Sequence, residues 1–328
     1  MNRILIIQTA SIGDVVLATV LIENLHRQFP NADIDFLLKD GNQPLFEGHS
    51  YLNEVLIWEK SKNKYKNLFK LLFRIRKRRY DLIINLQRFF STGILTAFSK
   101  AETKVGFRKN PCSFLFTHAI PHRIGGNIHE IDRNLSLIQN WVQNPERAVK
   151  LYPTKNDADF VEKYKNGQYI TISPASLWFT KQLPKEKWVE LIEKIPNHLI
   201  IYLLGSKNDK KLCEEIAKNT NRKNVHILAG SLSFLQSASL LCDARMNFVN
   251  DSAPMHLCSA VNAPTTALFC STVPQFGFGP LSDNSAVVEC RENLTCRPCG
   301  LHGYKKCPQT HFKCGYNVDV NELIMKNE

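Results

Sequence analysis

The stretch ILIIQTASIGDVVLATVLIENLHRQFPNADIDFLL, residues 4–38, decides how the rest of the chain is read. It opens on a short aliphatic run, Ile4 to Gln8, which breaks on the small residues Thr9, Ala10 and Ser11 and then on Gly13. Apolar residues recur at helical spacing from Asp14 to Gln28, and a second aliphatic run follows at Ile34 to Leu38. Strand, helix and strand in that order predict two parallel strands joined by a crossover helix. The loop leaving the first strand then sits at a carboxyl end, the edge of an α/β sheet where ligands bind. Ser11, Gly13 and Asp14 occupy that loop.

The alternation continues. Strands are expected near 55–58 and 82–86, with a helix over 62–78 between them and another helix around 131–142. The segment VQNPERAVKLYPTKND, residues 142–157, is polar, carries proline and has no periodicity, so a boundary belongs there and the domains read as 1–150 and 151–328. Beyond it the pattern starts again, with strands at 169–173, 199–204, 225–228, 246–249 and 265–269 and helices at 185–195, 210–218, 234–241 and 254–261. The prediction is an α/β protein of two doubly wound halves facing across a cleft. Neither a sequence repeat nor a low-complexity tract is evident.

Composition narrows the class. With 328 residues, 44% of them hydrophobic, the chain can fill two cores. No uncharged apolar run approaches the roughly 18 residues of a spanning helix, and residues 1–8 read as strand rather than signal peptide. A soluble cytoplasmic protein is expected. The net charge of +12 is uneven: residues 1–150 hold 22 Lys+Arg against 13 Asp+Glu, and the remainder 20 against 17. An acidic partner should therefore meet the first half.

Ten of those cations lie in KSKNKYKNLFKLLFRIRKRR, residues 60–79, which has no acid. Leu68, Leu71, Leu72 and Ile75 fall at helical spacing within it. Such a helix packs its apolar side on the domain and offers cations, Arg76, Lys77, Arg78 and Arg79 among them, to anionic headgroups or a phosphorylated lipid acceptor. A merely solvated face is the alternative. No nucleic-acid module accompanies the charge, so nucleic acid is not an expected partner.

Three stretches carry candidate chemistry. Asp14 precedes every other carboxylate in the chain, the next being Glu23; it can serve as a general base or simply cap a helix. In NDSAPMH, residues 250–256, Pro254 suits a first helical turn and Asp251 or Ser252 can cap it. A helix start of that kind, with Ser252 and Ala253 at its head, is a ready phosphate site, unless it is an ordinary capped helix in which His256 is structural. In SPASLWFTKQLPKEKW, residues 173–188, Lys181 follows a strand and can reach a diphosphate or stay solvated. Asp209, closing LLGSKND, can accept from ribose hydroxyls. The first turn lacks G-x-G-x-x-G, which argues against a redox dinucleotide.

Ten cysteines without an export signal read as thiols or metal ligands. Cys213, Cys242, Cys258 and Cys270 sit in apolar stretches and read as small core residues. CRPCGLHGYKKCPQTHFKC is different: Cys296, Cys299, Cys307 and Cys314 are spaced C-x2-C-x7-C-x6-C. Four thiolates can close a tetrahedral structural zinc site, with His302 and His311 as spare ligands. Disulfides and reduced packing cysteines are the other readings.

Taken together, QTASIGDVVLATVLIENL, TKQLPKEKW, LAGSLSFLQSASLL and NDSAPMHLCSAVNAPTTALF resemble, in order and spacing over nearly the whole chain, glycosyltransferase family 9, the ADP-heptose:lipopolysaccharide heptosyltransferases. The resemblance implies the GT-B architecture, two Rossmann-like domains with the acceptor on the first and the nucleotide sugar on the second. It implies an inverting transfer of a heptose to a lipopolysaccharide core or related lipid-linked glycan at the inner-membrane surface, with no cofactor required for catalysis. Asp14 then matches the family's base, with Gly13 turning the backbone so that this carboxylate faces the acceptor. Lys181 matches its phosphate-binding lysine, Ser176 a hydroxyl residue beside the phosphates, Asp251 and His256 its donor-site pair, and Asp209 an acid near the nucleotide. The chain departs from the pattern at Gln8, Ala10 and Ala253, where the family usually has Lys or Arg, a hydroxyl residue and Gly; the Ala253 methyl would crowd the donor or bar a positive φ. The rival readings are a transferase of the same fold using another nucleotide sugar, and a non-catalytic, basic, zinc-stabilised glycan- or lipid-binding protein.

Overall fold

The computed structural model describes residues 1–61 and 63–325, so Lys62 of the basic stretch and the last three residues of the second half lie outside the described residues. The chain divides into two compact units, Met1–Tyr152 and Pro153–Glu328. In the first, strands β1 (Arg3–Ile7), β2 (Asp33–Lys39), β3 (Glu54–Trp58), β4 (Leu82–Asn85), β5 (Thr103–Phe107) and β6 (His118–Ile120) form one parallel sheet in the order β3-β2-β1-β4-β5-β6. Its helices are α1 (Ile12–Leu17), α2 (Thr19–Gln28), α3 (Lys64–Arg78), α4 (Phe90–Ala97) and α5 (Glu130–Ser136). β1 is a continuous aliphatic run because helices cover both faces of the sheet. Leu5 and Ile7 meet Trp58, Tyr80 and the buried stripe Leu68, Leu71, Leu72 and Ile75 of α3 in one cluster.

Two helices depart from expectation. The helix expected from Asp14 to Gln28 is interrupted at Ala18, where the Thr19 hydroxyl donates back to the Val16 carbonyl at 2.7 Å, a bond that bends helices. The helix expected over 131–142 stops at Ser136, whose hydroxyl likewise bonds the Arg133 carbonyl at 2.6 Å; Leu137 to Trp141 continue as turns.

The second unit contains β7 (Tyr169–Ser173), β8 (Ile200–Leu203), β9 (Val225–Ile227), β10 (Asn247–Asn250), β11 (Thr265–Phe269) and β12 (Ser285–Glu289), all parallel, in the order β12-β11-β10-β7-β8-β9. Helices α6 (Lys155–Val161), α7 (Lys185–Lys194), α8 (Lys210–Lys218), α9 (Phe234–Cys242) and α10 (Ala253–Ala260) alternate with them. Read from β9, this is the strand order of the first unit again: a repeat of topology without a repeat of sequence. Trp188, Leu191 and Ile192 of α7 pack with Ile172, Ile201 and Leu203 of the sheet. Cys213, Cys258 and Cys270 are buried, as small core residues should be; Cys242, expected with them, is exposed at the end of α9.

In each sheet the connections diverge at one place, between β1 and β4 in the first and between β7 and β10 in the second. Outside the carboxyl ends of those strands no crossover covers the sheet, and an open crevice results.

Trp188 is fully buried. Trp188→Ala should cost about 3–5 kcal/mol, seen as a lower midpoint in urea unfolding, whereas Trp188→Phe should recover most of that loss.

Candidate active site

The crevice of the first unit is built on the loop Gln8–Ser11 that leaves β1. Four side chains hold it. The Gln8 amide oxygen accepts from the Ala10 N–H at 3.2 Å and from Gln87, just beyond β4. Asn42 donates to the Ala10 carbonyl at 3.1 Å, and the Lys60 ammonium to the Thr9 carbonyl and hydroxyl at 2.8 and 3.0 Å. Gln8, where a cation is usual, is thus a buried hub of the loop. Lys60 belongs to the basic stretch by sequence yet lies outside α3, against the Trp58 ring. Burial, with Lys39 and Lys64 adding, lowers its pKa to about 8.

Asp14 is half-buried at the third position of α1. Ser11, extended at φ −72°, is the N-cap; its N–H and hydroxyl both donate to Asp14 Oδ2, the N–H at 3.3 Å. Capping and catalysis are therefore not rivals for this residue: Ser11 fixes one carboxylate oxygen, and among the described residues no hydrogen bond reaches the other. Gly13 has no positive φ and lies inside α1, so the turn expected of it is made earlier, at Gln8–Ser11.

Charge around Asp14 comes from residues that sequence reasoning missed. Burial raises the Glu130 carboxyl above its usual range; Arg133, bonded to it at 2.6 Å, opposes this, and Asp14 adds to it. Burial lowers His122 to about 4, with Arg88, Arg133 and Lys109 acting in the same direction. Arg88 follows β4, and Glu130 and Arg133 lie on α5, too far apart in sequence to form a motif. Arg88 is exposed beyond β4, whereas Arg133 is buried with its guanidinium bonded to Glu130 and to the Ile128 carbonyl.

In the second unit the crevice joins the loops after β7 and β10. Lys181 Nζ lies 2.7 Å from Asp251 Oδ2, and both side chains are mostly buried. The Thr272 hydroxyl donates to the same carboxylate oxygen at 2.5 Å. Asp251 and extended Ser252 lead into α10, whose first turn carries Ala253 and Pro254 and whose interior buries His256. Ala253 is helical, so the concern that its methyl bars a positive φ falls away. Asn250, at the end of β10, fixes the facing loop: its oxygen accepts from the Leu183 N–H at 2.9 Å and its nitrogen donates to the Pro174 carbonyl at 2.8 Å. Ser176 lies half-buried in that loop, its carbonyl bonded to Gln182. Asp209, after β8, accepts from the Ser206 N–H and hydroxyl, both at 2.7 Å, so one oxygen caps its own turn.

The cysteine-rich segment is fastened to this crevice. The buried Thr180 hydroxyl, next to Lys181, accepts from the Tyr304 N–H at 2.7 Å and from the Ser271 hydroxyl at 2.9 Å. Gly303, at φ +73°, passes so close that a Cβ there would lie 2.8 Å from Thr180 Oγ1. Arg297 donates to the carbonyls of Cys270 and Thr272 at 2.7 Å each. Cys296, Cys299, Cys307, Cys314 and His311 line a cavity of about 220 Å³, with Cys296 Sγ 3.9 Å from His311 Nε2. All ten cysteines are unpaired thiols. Among the described residues no three His, Cys, Asp or Glu side chains are grouped closely enough to hold a metal ion.

On α3, Arg78 is not offered outward as expected. It pairs with Asp35 and Glu54 across the sheet, and the Tyr80 hydroxyl shares Asp35 at 2.5 Å. Arg76 donates to the Phe98 carbonyl at 3.2 Å, Lys77 is exposed, and exposed Arg79 caps the helix at φ +51°.

Comparison with known proteins identifies the family and the fold. The model of the family described as glycosyltransferase family 9 (heptosyltransferase) matches residues 68–305. Lipopolysaccharide heptosyltransferase 3 of Escherichia coli is 28% identical over 83% of this chain and 84% of its own. Two solved structures share the fold: E. coli ADP-heptose LPS heptosyltransferase II, with a TM-score of 0.76 and 22% identity over 99% of this chain and 98% of that one, and an E. coli heptosyltransferase with ADP, with a TM-score of 0.75 and 18% identity over 99% and 100%. The fold is GT-B, with a Rossmann-like sheet in each half.

A buried neutral histidine makes stability depend on pH. Because His122 titrates near 4 in the folded chain rather than at the ordinary 6.5, the unfolded chain binds more protons between those values, and folding stability falls as pH drops from about 6.5 to 4. His122→Asn should flatten that part of the pH–stability curve in denaturant titrations; an unchanged slope would show that His122 is not buried neutral.

Proposed function

The chain belongs to glycosyltransferase family 9, and from that membership we propose that it transfers a heptose from an ADP-linked donor to a lipopolysaccharide core or related lipid-linked glycan, with inversion and without a catalytic metal. The observation that carries the reading is the Lys181–Asp251 pair beside the head of α10, at the point where the second sheet's connections diverge. A nucleoside diphosphate leaving group develops negative charge, and preorganised donors must meet it. Lys181 supplies an ammonium held in place before the donor arrives, and the N–H groups at Ser252 and Ala253 add the positive end of a helix. Asp251 positions Lys181, Asp209 offers its remaining oxygen to the ribose, and Ser176 and His256 border the donor. Residues 151–328 are thus the donor half and 1–150 the acceptor half.

Asp14 is the base in this account. Its carboxylate takes the proton of the acceptor hydroxyl as that oxygen bonds to the anomeric carbon; the bond from that carbon to the diphosphate breaks, and ADP leaves with the electron pair. Ser11 fixes the carboxylate, while Arg88, exposed beyond β4, favours an anionic acceptor. Lys77, Arg79 and the lysines of α3 would place the enzyme at the inner-membrane surface where such an acceptor is anchored.

Asp14→Asn keeps an acceptor for the Ser11 bonds, so the fold and the ADP-induced rise in melting temperature should persist. Turnover should fall by at least about a hundredfold; a variant with wild-type turnover would remove Asp14 from the mechanism.

For the cysteine-rich segment the finer reading is a structural zinc ion, supported by four thiols and His311 lining one cavity. Binding would draw the thiols together and stiffen the segment that fixes Thr180. Metal analysis should find stoichiometric zinc, lost in Cys296→Ser/Cys299→Ser together with a lower melting temperature; metal-free protein of unchanged stability would end that reading.

A further inference from the structure

We propose that α3 does more than attract an anionic membrane: it inserts an aromatic edge, Tyr65, Phe69 and Phe73, between the lipid headgroups. The inference rests on the membrane-facing part of the reading above and adds a site of contact that charge alone does not require. These three rings are 70%, 56% and 68% exposed. That is unusual for large apolar side chains on a helix whose other face is well packed, and contiguous exposed apolar surface marks an interaction site.

The geometry of the helix separates three stripes. Leu68, Leu71, Leu72 and Ile75 are buried against the sheet. Positions 65, 69 and 73 recur every fourth residue and share a neighbouring face. Lys66, Lys70 and Lys77, all exposed, fall on the far side of that aromatic stripe at about 100° per residue. Arg74 and Arg78 turn the other way, to Glu54 and Asp35. The aromatic rings are therefore bordered by lysines that carry no ion pair to the protein among the described residues. Near its carboxyl end the helix meets Phe98, half exposed, whose carbonyl receives the Arg76 guanidinium.

An apolar edge flanked by exposed cations fits an anionic bilayer, which takes rings at the acyl boundary and ammonium groups at the phosphates. A second copy of the chain would bring the same lysines against one another. A nucleic-acid duplex would take the lysines and leave the rings in water.

The test uses the full-length protein and vesicles of phosphatidylethanolamine with phosphatidylglycerol. Phe69→Ser/Phe73→Ser changes only exposed positions, so folding is retained and checked by circular dichroism. We expect vesicle affinity about tenfold lower at unchanged charge, corresponding to partial burial of two rings. Phe69→Trp should show a blue-shifted emission on adding these vesicles, with quenching by brominated acyl chains. Transfer to a water-soluble acceptor fragment should be unaltered in the double variant, so a failure of this inference is separate from a failure of the transferase reading. The inference is overturned if the double variant binds as tightly as wild type, if the emission of the Phe69→Trp variant does not move, or if the wild type ignores the vesicles and instead self-associates through these rings.

Discussion

Everything in this molecule depends on the divergence of two parallel strands. A strand buried on both faces must send its chain back over one face or the other, and in each unit successive crossovers leave β1 and β4, or β7 and β10, in opposite directions. At that point the carboxyl ends of two neighbouring strands are left without a covering connection. The ends of these strands are where Asp14 and Gln87 emerge in the first unit and where Lys181 and Asp251 emerge in the second. Each crevice holds a tethered polar group: in the first a loop tied down by Gln8, Lys60 and Asn42 beside a half-buried carboxylate, in the second a lysine tied down by an aspartate beside a helix start.

Rigidity in these crevices is achieved with side chains bonded to the backbone of neighbouring loops. Asn250 joins the loop after β7 to the end of β10 through both ends of its amide, which leaves Lys181 few positions to occupy. Thr180 and Arg297 extend the same frame into the cysteine-rich segment. Removing a buried partner of this kind leaves donors and acceptors unsatisfied at about 1–3 kcal/mol each. Such residues look ordinary in sequence and are decisive in position.

The sequence made the frame legible and the site partly so. RILII, YITIS and TTALF could only be buried strands, and the helices between them carry clear apolar faces. α4 was not legible, because FSTGILTA is short, contains glycine and two threonines, and lacks a polar face. Nor was β5, TKVGF, whose glycine admits the Phe116 ring: a Cβ at Gly106 would lie 2.6 Å from it. The common strand order of the halves left no trace in residue identity, since topology constrains only where apolar residues fall. Asp14, Lys181 and Asp251 could be singled out because each follows a strand within a recognisable stretch. Arg88, Glu130 and Arg133 could not, because they gather at one crevice from elements more than forty residues apart by spacing that no motif records. Arg78 shows the reverse limit: a cation in a basic run looks solvated until the acids of neighbouring strands claim it.

The central claim is that the second unit's crevice is where a nucleoside diphosphate binds. Amide hydrogen exchange on the full-length chain, with and without saturating ADP, addresses it directly. The account predicts slowed exchange confined mainly to residues 174–183 and 251–257, the loops after β7 and β10. Unchanged exchange there, with protection appearing instead around residues 8–14 or along another edge of either sheet, would contradict it.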